Sequence, residues 1–173
     1  MMSLRAVLLL LCFSAPLSVG CGAIGFDVDQ DLAAQTVPGS ALGGILPSFL
    51  PSPFKLNIDV SAEQQKHGTG PATSAHLAEL RFDAVGSPPG NFDFLDEIHV
   101  FVAPTNGGSL PKQEIAKLAP VPDGKTTIEL TILPGVDLLP YINAGAEISA
   151  TATGTQPAHD FTFTGHVKVN IRI

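Results

Sequence analysis

Apolar and polar residues alternate one by one along most of the chain, most clearly at its C-terminal end. There Phe161, Phe163, Val167, Val169, Ile171 and Ile173 interleave with Thr162, Thr164, His166, Lys168, Asn170 and Arg172. A two-residue period sends successive side chains to opposite faces of a strand, so this stretch predicts a strand with one apolar and one polar face. Gly165 interrupts the apolar row and marks a bulge or bend. Residues 161–173 would extend for roughly 40 Å, long enough to bend or pass from one sheet to another midway.

The same period recurs upstream. Phe26, Val28 and Leu32 alternate with Asp27, Asp29 and Asp31; Leu56, Ile58 and Val60 with Lys55, Asn57 and Asp59; Leu80, Phe82 and Ala84 with Glu79, Arg81 and Asp83. Ile98, Val100 and Val102 oppose Glu97 and His99, with Phe101 on the outer face, and Ile128, Leu130 and Ile132 oppose Thr127, Glu129 and Thr131. Weaker alternation covers 112–119 and 146–153. Between these runs stand turn-forming groups: Ser87-Pro88-Pro89-Gly90-Asn91, Asn106-Gly107-Gly108, Pro122-Asp123-Gly124 and Pro134-Gly135. About eight half-buried strands with turns between them predict an all-β fold, an antiparallel sandwich of immunoglobulin-like or jelly-roll-like type, occupying 26–173 as one domain.

Helical signals are few. Ser61-Ala62-Glu63-Gln64 fits a capping box opening one or two turns before Gly68. Thr73–His76 and Val136–Ile142 each predict at most a short helical turn. Residues 38–54 break the alternation altogether: they are apolar, rich in Pro and Gly, and uncharged. Ile45, Leu46, Phe49, Leu50 and Phe54 can plug one end of the sandwich or form an exposed interaction loop.

Composition agrees with a packed β domain. Of 173 residues, 45% are hydrophobic and only 14% charged, so a substantial core can form. The net charge is −7, and −8 without the first twenty residues, which contain Arg5. A surface of that sign repels phosphate backbones, which disfavours nucleic acid as a partner.

The N-terminus carries an address. Met1–Arg5 is short and basic, Ala6–Phe13 is an apolar block, and small residues lead to Gly20 and Cys21. Eight apolar residues span only about 12 Å as a helix, against a hydrocarbon core of about 30 Å. The segment therefore reads as a cleaved signal peptide, 1–20, and not as a membrane span. Its ending, Leu17-Ser18-Val19-Gly20-Cys21, resembles the lipobox of bacterial lipoproteins, with Leu17 one place earlier than usual and Ser18 in its stead. The resemblance implies cleavage after Gly20, acylation of Cys21, a short tether over 21–25 and, because Gly22 follows, the outer membrane. A plain secreted protein with a free terminal cysteine is the alternative. Cys12 lies in the leader, so the mature chain would keep one thiol and could form no internal disulfide. The mature region also resembles envelope lipoproteins of Gram-negative bacteria with a β-sandwich domain.

Candidate chemistry is sparse. Asp27-Val28-Asp29-Gln30-Asp31 imitates the start of a calcium loop, but Leu32 and Pro38 stand where an EF-hand needs Gly and Glu. On a strand, Asp27, Asp29 and Asp31 are about 6.6–7 Å apart, spread along a face and not around an ion. They are at most weak metal candidates beside a neighbouring strand. The histidines, 67, 76, 99, 159 and 166, form no ligand motif, although His99 and His166 could meet in the fold. No nucleophile elbow or dinucleotide loop is present. The sequence thus predicts no enzyme and no cofactor. It predicts a lipid-anchored envelope module that contacts the membrane through acyl chains and binds an envelope protein or glycan. Two rival readings are a carrier holding an apolar ligand or lipid between the sheets, with 38–54 as lid, and a secreted hydrolase.

Overall fold

A computed structural model describes residues 25–46, 49–50, 52–86, 90–105 and 108–173. The leader, Gly20, Cys21 and most of the tether lie outside the described residues, as do Ser87-Pro88-Pro89 and Asn106-Gly107 of the expected turns. Nine strands and two short helices follow one another: β1 (Gly25–Val37), β2 (Phe54–Leu56), α1 (Val60–His67), β3 (Ser74–Val85), β4 (Leu95–Pro104), β5 (Gln113–Leu118), β6 (Thr127–Glu129), β7 (Thr131–Ile132), α2 (Leu139–Ala144), β8 (Ala146–Gly154) and β9 (Phe161–Arg172).

The strands form two antiparallel sheets, ordered β1-β9-β3-β6 and β2-β8-β4-β5-β7. Pairing is nested: β1 with β9, β2 with β8, β3 with β6, β4 with β5. A single long hairpin folded over on itself gives that order, and it identifies the sandwich as a jelly roll. The alternation expected from the sequence sets the faces. Phe161, Phe163, Val167, Val169 and Ile171 of β9 point inward and are buried, as are Leu77, Leu80 and Phe82 of β3 and Ile98, Val100 and Val102 of β4. No polar side chain is buried among the described residues.

Several boundaries differ from the sequence reading. The C-terminal strand does not change sheets; β9 lies between β1 and β3 in continuous register past Gly165, and the bulge next to it belongs to β1, between Leu32 and Gln35. Gly165 instead leaves room for its neighbours, since a β-carbon there would sit 2.7 Å from Leu32 Cδ1. The crossing strand is the 127–132 segment. Its first half pairs with β3 and its second half with β5, and Leu130 at the junction still donates its N–H to the Leu80 carbonyl at 3.0 Å.

The strand expected over 55–60 stops at Leu56. Asp59 caps α1, accepting a 2.9 Å bond from the Ala62 N–H, so the cap lies two residues before Ser61. Thr73–His76 is not helical: β3 begins at Ser74, where Asn170 and Arg172 of β9 supply pairing partners that outweigh local propensity. Stacking of His67 on Phe26, with centroids 4.4 Å apart, seats α1 at the end of the sandwich where β1 begins.

Candidate functional site

At the opposite end of β1, the chain leaves Val37 and runs over the 155–160 loop that leads into β9. Gly39 N–H donates to Asp160 Oδ1 at 2.8 Å and Ser40 N–H to the Pro157 carbonyl at 2.8 Å. Gln156 clasps the segment twice, donating its backbone N–H to the Gly44 carbonyl and its Nε2 to the Pro38 carbonyl, each at 2.9 Å. Ser40–Gly43 closes as a turn, with Gly43 at φ 69°, and Ile45 bridges to Thr155. Gly39 is required by close approach, because a β-carbon there would overlap the His159 backbone.

The result is a backbone-clamped tip on which Leu42 is 99% and Ile45 90% exposed. The apolar run then turns inward. Leu46, Phe49 and Leu50 are buried in the core and Phe54 is half-buried against it. Phe49 stacks on Phe163 at 4.5 Å between centroids and meets Phe82 edge-on at 5.4 Å, within a chain of aromatic contacts that continues through Phe92, Phe94 and Phe161. The run is therefore divided, with Ile45 outside and Leu46, Phe49 and Leu50 in the core between the sheets. Leu42, the most exposed aliphatic residue of the tip, was not singled out by the sequence pattern.

A cleft of about 430 Å³ opens beside the tip between the 90–94 and 155–161 loops. Its acidic groups are tied to the backbone: Asp160 holds Gly39, and Asp93 accepts from Asn91 Nδ2 and the Gly124 N–H. His159 is exposed.

The aspartates of β1 form a separate polar surface. Asp27 accepts a 2.7 Å bond from Asn170, and Asp29 and Asp31 flank the two ring nitrogens of His166 at 3.1 and 2.9 Å. Lys168 lies between Asp29 at 3.8 Å and Glu79 at 3.6 Å, and Arg81 between Glu79 at 3.2 Å and Asp83 at 3.0 Å. The outer face of β1-β9-β3 is thus a lattice of alternating charge, with β1 at the sheet edge. Charged side chains along an edge strand discourage a further strand from joining.

Asp29 and Asp31 can both receive hydrogen bonds only from the imidazolium form of His166. The bond to Asp31 is the main reason that the His166 pKa is raised, with Asp29 adding to it against partial desolvation. A raised native pKa contributes stability fully present below the ordinary His value of about 6.5 and lost as pH rises through the native value. Thermal unfolding between about pH 6 and 8 is expected to show a midpoint that declines with rising pH. His166→Gln should flatten that slope, and an unchanged slope would refute the linkage.

His99 belongs to the other sheet, where its Nδ1 meets Glu114 at 2.6 Å, so it does not meet His166. Among the described residues, no three His, Cys, Asp or Glu side chains are grouped as a metal site would require. Gly20 and Cys21 of the expected processing site lie outside the described residues. No protein-family model matches the chain, and a search of curated proteins finds no match.

Proposed function

We propose that this protein is a non-enzymatic, lipid-anchored module of the bacterial cell envelope that grips a partner protein with the Leu42–Ile45 tip. The observation that carries the reading is the exposure of two large aliphatic side chains on a loop fixed by hydrogen bonds. A pre-ordered apolar tip loses little conformational entropy on binding. Its chemistry suits an apolar groove on a protein; a glycan is better held by polar side chains and aromatic faces, and the tip offers neither.

The lipobox-like Leu17–Cys21 supports the anchor, and the fold supplies a direction. The tether joins β1 at Gly25, and the tip follows Val37 at the other end of the same strand, about 40 Å away. An acylated Cys21 would hold the domain by one end and leave the tip facing away from its own membrane. None of the helices among the described residues is long and apolar enough to cross a membrane, so acyl chains would do the holding. At about 0.8 kcal/mol per buried methylene, two or more chains anchor stably.

Intact-mass measurement on membrane-extracted protein should show a chain starting at Cys21 and carrying added acyl mass. A chain that starts at Met1, or has the mass of the bare polypeptide, would overturn the anchor. A photo-crosslinker at Leu42 should capture one defined envelope protein. Ile45→Asp, at an exposed position, should abolish that adduct while shifting stability by no more than about 0.5 kcal/mol. An adduct that survives Ile45→Asp would count against the tip.

A further inference from the structure

A second cleft, of about 370 Å³, lies at the other end of the molecule, beside the half of β3 that β6 leaves unpaired. Its inner wall is Leu77, Ile115 and Leu138, all buried, together with half-buried Ile132 and Leu133. That volume falls within the range of about 300–1,000 Å³ typical of small-molecule sites. The wall is braced: Asp137 Oδ1 accepts the Ala75 N–H at 2.9 Å and the Leu139 N–H at 3.0 Å, and Leu138 N–H reaches the Ala75 carbonyl at 2.7 Å.

The mouth is polar. His76 and Arg172 sit on the outer face of adjacent strands, His76 opposite Asn170 and Arg172 opposite Ser74, which makes them diagonal neighbours about 7–8 Å apart. His76 Nδ1–H donates to the Val136 carbonyl at 3.1 Å, which fixes the ring as one side of the mouth. Arg172 supplies the charge at the mouth. Like Lys55, Lys117 and Lys125 it makes no ion pair among the described residues, but unlike them it lines the cleft. Its backbone carbonyl is held by the Thr73 N–H at 2.8 Å, so the side chain projects from a fixed base.

We infer that this cleft binds a carboxylate with an aliphatic tail, the tail against Leu77, Ile132, Leu133 and Val136 and the carboxylate on Arg172. An apolar wall alone would accept any hydrocarbon; an unpaired guanidinium at its mouth selects an anion by charge-assisted hydrogen bonding. Asp137 does not compete for the guanidinium through Oδ1, which already accepts two N–H groups. The net charge of −7 opposes anions at long range, so selection rests on contact at the mouth. The inference is independent of the lipid anchor and of the Leu42–Ile45 tip.

The test uses octanoate, octanol and acetate as probes, followed by methyl NMR of the purified protein. Octanoate should shift the methyl signals of Leu77, Ile132 and Leu133 at millimolar concentration or below, and acetate should leave them unmoved. Octanol, which lacks the charge, should bind at least about tenfold more weakly. Arg172→Gln, at an exposed position that should not perturb folding, should weaken octanoate by a similar factor and leave octanol unchanged. Leu133→Trp should block both tails. Octanol binding as tightly as octanoate, Arg172→Gln without effect, or no shift at these methyls would each overturn the inference.

Discussion

Replacing Phe49 with alanine is expected to destabilise the protein by about 3–5 kcal/mol, the cost of emptying a buried aromatic position. Phe49 is 0% exposed, although it comes from a connection and not from a strand. Its ring stacks on Phe163 of β9 and abuts Phe82 of β3 and Phe92, so its removal would open a cavity lined by three other rings. At about 2–4 °C per kcal/mol, the thermal midpoint should drop by about 6–20 °C. Phe101→Ala provides the contrast. That ring is half-buried on the outer face of β4, where Lys112 lies 4.6 Å from its centroid, and its loss should cost less than half as much. Equal losses in urea or thermal unfolding would mean that Phe49 does not close the core.

Gly154→Ala is expected to be the most damaging single-methyl change, at about 2–4 kcal/mol. Gly154 has φ 147°, where residues with a β-carbon are strained, and that carbon would overlap the Phe94 carbonyl. The Phe94 carbonyl is also the acceptor for the Thr155 N–H at 2.8 Å, and Gln156 next to it clasps the tip. The damage should therefore reach the tip as well as global stability. Amide exchange at Gln156, whose N–H is held by the Gly44 carbonyl at 2.9 Å, should accelerate in Gly154→Ala beyond the global loss of stability. Gly124→Ala serves as control, since φ there is 70° but nothing lies within 4 Å of an added carbon. It should cost about 1 kcal/mol and leave the tip unaffected. Equal effects of the two variants would show that close packing against Phe94 does not hold the loop.

The layered fold was legible because burial in a sandwich follows the period of two, and each of the eight alternating stretches overlaps a strand. What the period could not convey was partnership. Ile128, Leu130 and Ile132 alternate without a break across the point where the chain passes between sheets, because each residue points into the same shared core whichever sheet its backbone joins. For Thr73–His76, the pairing that makes Ser74–His76 a strand comes from residues 170–172, far along the chain. In 38–54 the apolar character was plain, but no period assigns an inward or outward direction within a Pro- and Gly-rich loop. The split between exposed Leu42 and Ile45 and buried Leu46 and Phe49 depends on clamps from Gln156, Pro157 and Asp160, far along the chain. The second cleft was invisible for the same reason, since Leu77, Ile115, Leu133 and Arg172 are brought together only by sheet order.

Nested pairing also sets the timetable of folding. Asp27 must wait for Asn170, 143 positions later, before its strand has a neighbour, and β3 shares that neighbour. Until β9 is synthesised, two long strands each lack a flank, and exposed flanks of this kind invite mispairing between chains. Such separated contacts place the protein among slow, millisecond-to-second folders. Trimming β9 would unmake the first sheet from its middle outward, leaving β1 without any neighbour.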